Sequence, residues 1–291
     1  MKLTAVLLVV LSIALCAAAQ NSGQPAQQTP PAAGQAAPAP GTPPAAKRPP
    51  QAKTQPEFDA YKAAAANTDP TAFEKAADDF ATKFPDSELR VLLYKNAMRI
   101  YQSANNGEKT EAMGRKVLSF DGDDPEALVI VAEVIAERTR DSDLDKDQRF
   151  DEAVKMATKA TTTVDSDINA PAGTPQDKLD AYKSLLRSNA YSIMGTIAYK
   201  KDNYPAAQEN LQKSIDAFPS QPDPVVVLRL ALTLDKQQKY PEALKVANRA
   251  VELTQDNTAI GTPARRERDR LQQLTGGTPP AAPPASQPPK N

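Results

Sequence analysis

KYPEALKVANRA, residues 239–250, aligns without a gap on RFDEAVKMATKA, residues 149–160. Tyr240 stands against Phe150, Glu242 against Glu152, Ala243 against Ala153, Ala247 against Ala157 and Ala250 against Ala160. The alanines recur at i, i+4 and i+7, one face of a helix, and side chains that small let a second helix approach closely. NYPAAQENLQKS (203–214) is a third copy, 36 residues before the last, with Ala207, Leu211 and Ser214 on the same face. A period of this length marks a stack of repeated supersecondary units.

Each copy has a partner helix upstream. One carries Tyr191, Met194, Gly195 and Ala198, the other Val227, Leu230, Ala231 and Leu234. The spacing, positions 4-7-8-11 and then 20-24-27, resembles the tetratricopeptide repeat, and Pro219 occupies its closing proline position. Tyr94, Ala97, Met98 and Tyr101, then Thr110, Gly114 and Val117, fit the same template with the sizes at positions 7 and 8 exchanged. Leu128, Val131, Ala132 and Ile135 fit as well, and Phe73, Ala77, Phe80 and Pro85 supply a second helix behind PEFDAYKAAAA. The resemblance covers most of residues 57–255. It implies an all-α fold, a right-handed superhelical solenoid of helix pairs.

Capping signals support that register. Asp69-Pro70, Asp124-Pro125, Thr174-Pro175, Asp223-Pro224 and Thr262-Pro263 each put a capping side chain ahead of a proline at the first helical position. No stretch alternates with period two for long enough to suggest a sheet.

The ends differ in composition from the middle. MKLTAVLLVVLSIALCAAAQ pairs a basic Lys2 with an apolar run from Leu3 to Leu15 and the small residues Ala17–Ala19, the pattern of a secretory signal peptide over residues 1–19. Lipidation at Cys16 and retention as an anchor are the alternatives. Residues 20–56 and 276–291 hold most of the 27 prolines and are expected to be disordered. They flank a repeat domain at 57–275. The flanks contain no Asp or Glu but carry Lys47, Arg48, Lys53 and Lys290, so weak contact with cell wall or a membrane surface is one reading, and a solvated arm is another. Without those lysines and arginine and Lys2, the domain has a net charge of about −6, which argues against nucleic acid as a partner.

Composition also removes most enzyme classes. The chain has no His, no Trp and a single Cys, so triad chemistry, His-ligated metals, disulfides and zinc sites have no ligands to use. A hydrolase built on paired carboxylates remains formally open, but the acidic residues are spread over helix faces.

No cofactor is expected, with calcium as a weak exception. In DSDLDKDQRFDE (141–152), Asp141, Asp143, Asp145, Asp147 and Glu152 have the ligand spacing of an EF-hand loop. Two departures oppose it: Lys146 stands where the turn needs Gly, and Gln148 where an apolar residue packs. The repeat register offers another explanation, an insertion of about nine residues near 138–148, with Glu152 matching Glu242 on a helix. In PARRERDRLQQL (263–274), Arg265, Arg266, Arg268 and Arg270 are interrupted by Glu267 and Asp269, as in a polar capping helix packed down through Leu271 and Leu274.

The tetratricopeptide resemblance implies a non-enzymatic adaptor that binds protein or peptide on its concave face. It assigns that face to Lys95, Arg99, Ser192, Thr196, Tyr199, Lys200, Leu228, Leu232, Asp235 and Lys236. Lys95 and Arg99 are the expected grip on a partner's carboxylate, although the family's two-carboxylate clamp has Asn where Arg99 stands. Together with the export signal, and with the Phe-Pro-Asp-Ser element in ATKFPDSEL (81–89), the repeats resemble exported bacterial envelope proteins of assembly or scaffold type.

Overall fold

A computed structural model describes residues 47–168 and 173–276. The expected signal peptide with Cys16, residues 20–46 of the expected linker, and the tail beyond Gly276 lie outside the described residues. The described chain forms α1 (Gln55–Ala65), α2 (Pro70–Lys83), α3 (Leu89–Ser103), α4 (Gly107–Phe120), α5 (Pro125–Arg138), α6 (Lys146–Thr163), α7 (Gln176–Lys200), α8 (Tyr204–Ala217), α9 (Pro224–Lys236), α10 (Tyr240–Glu252) and α11 (Gly261–Leu274). It contains no strand among these residues. Successive helices pack as antiparallel pairs, α1 with α2 through α9 with α10, and α11 closes the stack against α10. This is the α-α solenoid of tetratricopeptide type that the spacing implies.

Turn chemistry repeats with the helices. After α3, α7 and α9 the chain reverses in three residues, with Asn105, Asp202 and Gln238 in the left-handed region at φ 56°, 55° and 61°. In each turn the next N–H donates back to the same helical position: Asn106 to the Tyr101 carbonyl, Asn203 to Ala198 and Lys239 to Leu234, at 2.9, 2.9 and 3.0 Å. This is a Schellman closure, which satisfies carbonyls that the helix end would otherwise leave open. Asp69, Asp124 and Asp223 cap as expected. Thr174 and Thr262 do not take that role: Pro175 itself is the N-cap of α7, and α11 begins two residues before Pro263, after Ile260.

Packing follows a rule of complementary sizes. At positions 8 and 24 of successive pairs stand Met98 and Gly114, Ala132 and Ala157, Gly195 and Leu211, Ala231 and Ala247. Where one helix brings a long side chain, the other brings glycine. A Cβ on Gly114 would lie 2.4 Å from Val131 Cγ2 and 3.2 Å from Met98 Sδ; one on Gly195 would lie 2.7 Å from Leu211 Cγ. The exchanged sizes in the α3 unit are thus balanced one helix away. Ala207, Ala243 and Ala247 are fully buried in this seam.

Two insertions depart from the repeat. The nine residues expected between α5 and α6 divide between an irregular turn at 139–145 and an extra helical turn, so that α6 starts seven residues before Ala153 where α10 starts three before Ala243. Helix α7 runs for 25 residues against 13 to 15 in α3, α5 and α9, extending about three turns ahead of its repeat register. That extension puts Leu186 and Tyr182 against the core of the α5–α6 pair.

The N-terminal boundary also moves. Residues 47–54, assigned by composition to the disordered linker, lie along the loops that join successive pairs. The Lys47 N–H donates to the Ser166 carbonyl (3.2 Å) and its Nζ to Asp121 (2.5 Å). Arg48 makes a two-pronged bond to Glu88 at 2.8 and 2.5 Å, and Lys53 Nζ donates to the Asp86 carbonyl (2.7 Å). Thr54 then caps α1 by accepting from the Glu57 N–H. Neither a solvated arm nor a weak wall or membrane contact describes Lys47, Arg48 and Lys53, which meet loops of their own domain; Lys290 lies outside the described residues.

On the capping helix, Ala264 and Leu271 are buried but Leu274 stays half-exposed, contrary to expectation. Arg265 pairs with Asp256 and not with Asp269, which goes to Arg268.

Candidate functional site

First helices of neighbouring pairs touch, α1 with α3, α5 with α7 and α7 with α9, more closely than the second helices do. The first helices therefore line the inside of the curve, and the residues assigned to it can be placed one by one.

Lys95 and Arg99 do not await a partner. Lys95 Nζ lies 2.5 Å from Asp124 and 3.2 Å from Glu126, and Arg99 forks onto Glu126 at 2.5 and 2.6 Å. Burial alone would raise the Glu126 carboxyl, but Lys95 and Arg99 outweigh it and hold the group down at about 2. Tyr182, on the extension of α7, faces the same pair, and burial followed by Glu126 pushes its phenol up. The grip expected for a partner's carboxylate is spent inside the chain, joining α3 to α5 and covering that end of the groove with α7. Asp235 is likewise taken, at 2.5 Å from Arg270 of the capping helix. Leu228 belongs to the core.

Ser192, Thr196, Tyr199 and Leu232 are partly exposed, and Lys200 and Lys236 are exposed. They lie on α7 and α9, where the curve remains open. Thr196 Oγ1 accepts from Arg229 (2.8 Å), Tyr199 meets Tyr204 edge-on at 5.7 Å, and Lys200 Nζ donates to the Ala136 carbonyl (2.6 Å).

The sequence reading missed the acidic wall of this groove. Glu133 and Glu137 occupy positions 9 and 13 of the α5 unit, two of the positions used to assign α7 and α9, so the same template applied to Pro125–Arg138 finds them. Burial pushes the Glu133 carboxyl up to about 7, and the charges of Glu137 and Asp223 add to the shift. Glu137 is raised by burial against the pull of Lys200 and Arg229. Opposite them, burial lowers Arg229, despite Asp223, Tyr199 and Glu137, and partial burial of its ammonium end lowers Lys200, although the residue as a whole is exposed.

The sign of the Glu133 shift sets a test. An acid whose folded pKa lies above its unfolded value near 4.5 favours the fold fully below that value and loses the contribution as pH rises through about 7. Glu133→Gln is therefore expected to stabilise the protein at pH 8 by about 1–3 kcal/mol and to change little at pH 5. Thermal melts of both proteins at the two pH values check this; coincident curves at pH 8 would contradict it.

The acidic loop does not gather its residues. Glu152 pairs with Arg115 at 2.7 Å, Asp143 accepts from the Arg140 N–H at 2.9 Å, Asp147 faces Lys201 at 3.7 Å and Asp141 faces Lys146 at 3.6 Å. Asp145 takes the N-cap position of α6. Lys146, where an EF-hand loop turns on glycine, begins the helix and carries Asp147 and Glu152 along it. No group of three or more side chains able to hold a metal occurs among the described residues.

No protein-family model and no curated protein matches the chain. Among solved structures it is similar to MamA, at 15% identity and a TM-score of 0.48 over 68% of this chain and 89% of that one. A second is YrrB, described as a TPR protein with an unusual peptide-binding site, at 16% identity and 0.45 over 69% and 85%. A third is TTC0263, a thermophilic TPR protein of Thermus thermophilus, at 10% identity and 0.44 over 72% and 98%. The repeat register stands on this chain's own helix contacts.

Proposed function

We propose that this tetratricopeptide-type solenoid is an exported, non-enzymatic adaptor that holds an extended protein segment in the groove between α5, α7 and α9. The supporting observation is the contrast along the inner surface. At the α3–α5 junction Lys95, Arg99, Asp124 and Glu126 are paired with one another, whereas Glu133, Glu137, Thr196, Tyr199, Arg229 and Leu232 line a stretch where polar and apolar groups stay within reach of solvent. Such a mixture suits a peptide, whose backbone needs hydrogen-bond partners and whose side chains need apolar contact. Export to the cell envelope rests on Lys2, the Leu3–Leu15 run and Ala17–Ala19.

A photo-crosslinking residue at Thr196 or Leu232 is expected to capture protein partners in intact cells, while the same residue at Gln212, exposed on α8, captures none. Equal labelling from all three positions would remove the groove from the proposal. The recovered protein is expected to begin at Gln20 by intact mass in an envelope fraction; a full-length cytoplasmic product would refute export.

A further inference from the structure

We propose that the α5–α7–α9 groove selects a segment presenting an arginine or lysine, whose charged tip sits between Glu133 and Glu137. This names the chemistry of the partner in the adaptor reading and rests on that reading.

Glu133 and Glu137 are four residues apart on α5 and share a face. Neither forms an ion pair or a hydrogen bond with any described residue, although the neighbouring carboxylates Asp124, Glu126 and Asp235 are all paired. The cations that act on Glu137, Lys200 and Arg229, are committed elsewhere. Arg229 donates to Thr196, and Lys200 donates to the Ala136 carbonyl and lies 5.4 Å over the Phe150 ring. Those bonds engage the two cations, and neither pairs with Glu133 or Glu137.

The charges facing Glu133 are Glu137 on its own helix and Asp223 at the head of α9; those facing Glu137 include Lys200 of α7 and Arg229 of α9. Glu137 and Asp223 thus add their repulsion at Glu133. A proton relieves that repulsion in the free protein, and an incoming cation would do so by displacing the proton. Tyr199 and Leu232, partly exposed at the groove, give the apolar stem of a long basic side chain a surface to lie on. An acidic ligand would meet Arg229, but only beside Glu137 and Asp223.

Three probes test this: N-acetylated, C-amidated seven-residue Ala/Leu peptides with a central arginine, glutamine or glutamate, labelled for fluorescence anisotropy. At pH 8 the wild type is expected to bind the arginine probe about tenfold tighter than the glutamine probe. Glu133→Gln/Glu137→Gln should erase the preference while its melting temperature does not fall. The preference should also weaken at pH 6, where Glu133 holds its proton. Equal binding of all three probes to the wild type overturns the charge selection and leaves the adaptor reading standing. Preference for glutamate overturns it in favour of Arg229, and binding of none overturns both.

Discussion

Glu126→Ala is expected to lower stability by about 3 kcal/mol at pH 7, measured as a shift of the urea midpoint. The carboxylate is nearly inaccessible, at 8% side-chain exposure, and Lys95 is only 15% exposed, so removing it takes one of two carboxylates from a buried ammonium and unhooks a guanidinium. The loss falls at the low end of the range for broken buried pairs because Lys95 keeps Asp124 and Arg99 is open to water on one side. The same group sets an acid limit. Its folded pKa, about 2, lies below the unfolded value of 4.5, so its contribution is complete above 4.5 and is lost as pH falls toward 2. The gap between wild type and Glu126→Ala should therefore close across that window. A variant as stable as the wild type at pH 7 would mean that the inner network adds nothing to the α3–α5 junction.

Gly195→Ala is the second large effect, a loss of about 1–3 kcal/mol from overpacking. The added methyl would lie 2.7 Å from Leu211 Cγ, 2.9 Å from its Cδ2 and 3.0 Å from its backbone nitrogen. Turning the leucine side chain relieves the first two contacts only, so α7 and α8 must separate. In a Leu211→Ala background the same substitution recreates the alanine pair found at Ala132/Ala157 and Ala231/Ala247. There only the 3.0 Å backbone contact remains, so its cost should fall well below that in the wild type, a coupling that a double-mutant cycle reads directly. Additive losses would show that size exchange across the helix pair is not what holds it.

Those two sites also mark how far the sequence could be read. Alanine periodicity and three Asp-Pro caps reveal the helix pairs, because close packing restricts residue size at fixed spacing and leaves a periodic trace. The α7 extension leaves no such trace: Tyr182 and Leu186 precede the repeat register and gain their role from what they cover. Lys95 and Arg99 sat at the right positions for the wrong reason, since position on a face does not say whether a carboxylate from the next helix has already arrived. Glu133 and Glu137 were legible from the template itself. Residues 47–54 were not, because proline-rich composition hides a few basic side chains whose partners are scattered from Asp86 to Ser166.

Those eight residues fix where force enters the molecule. The chain preceding Lys47 joins the body beside Ser166 and Asp121, at the end of the third hairpin, and not at its first helix. Tension from anything attached upstream consequently meets the contacts of Lys47 and Arg48, spread over three inter-hairpin loops, before it reaches Thr54 and α1.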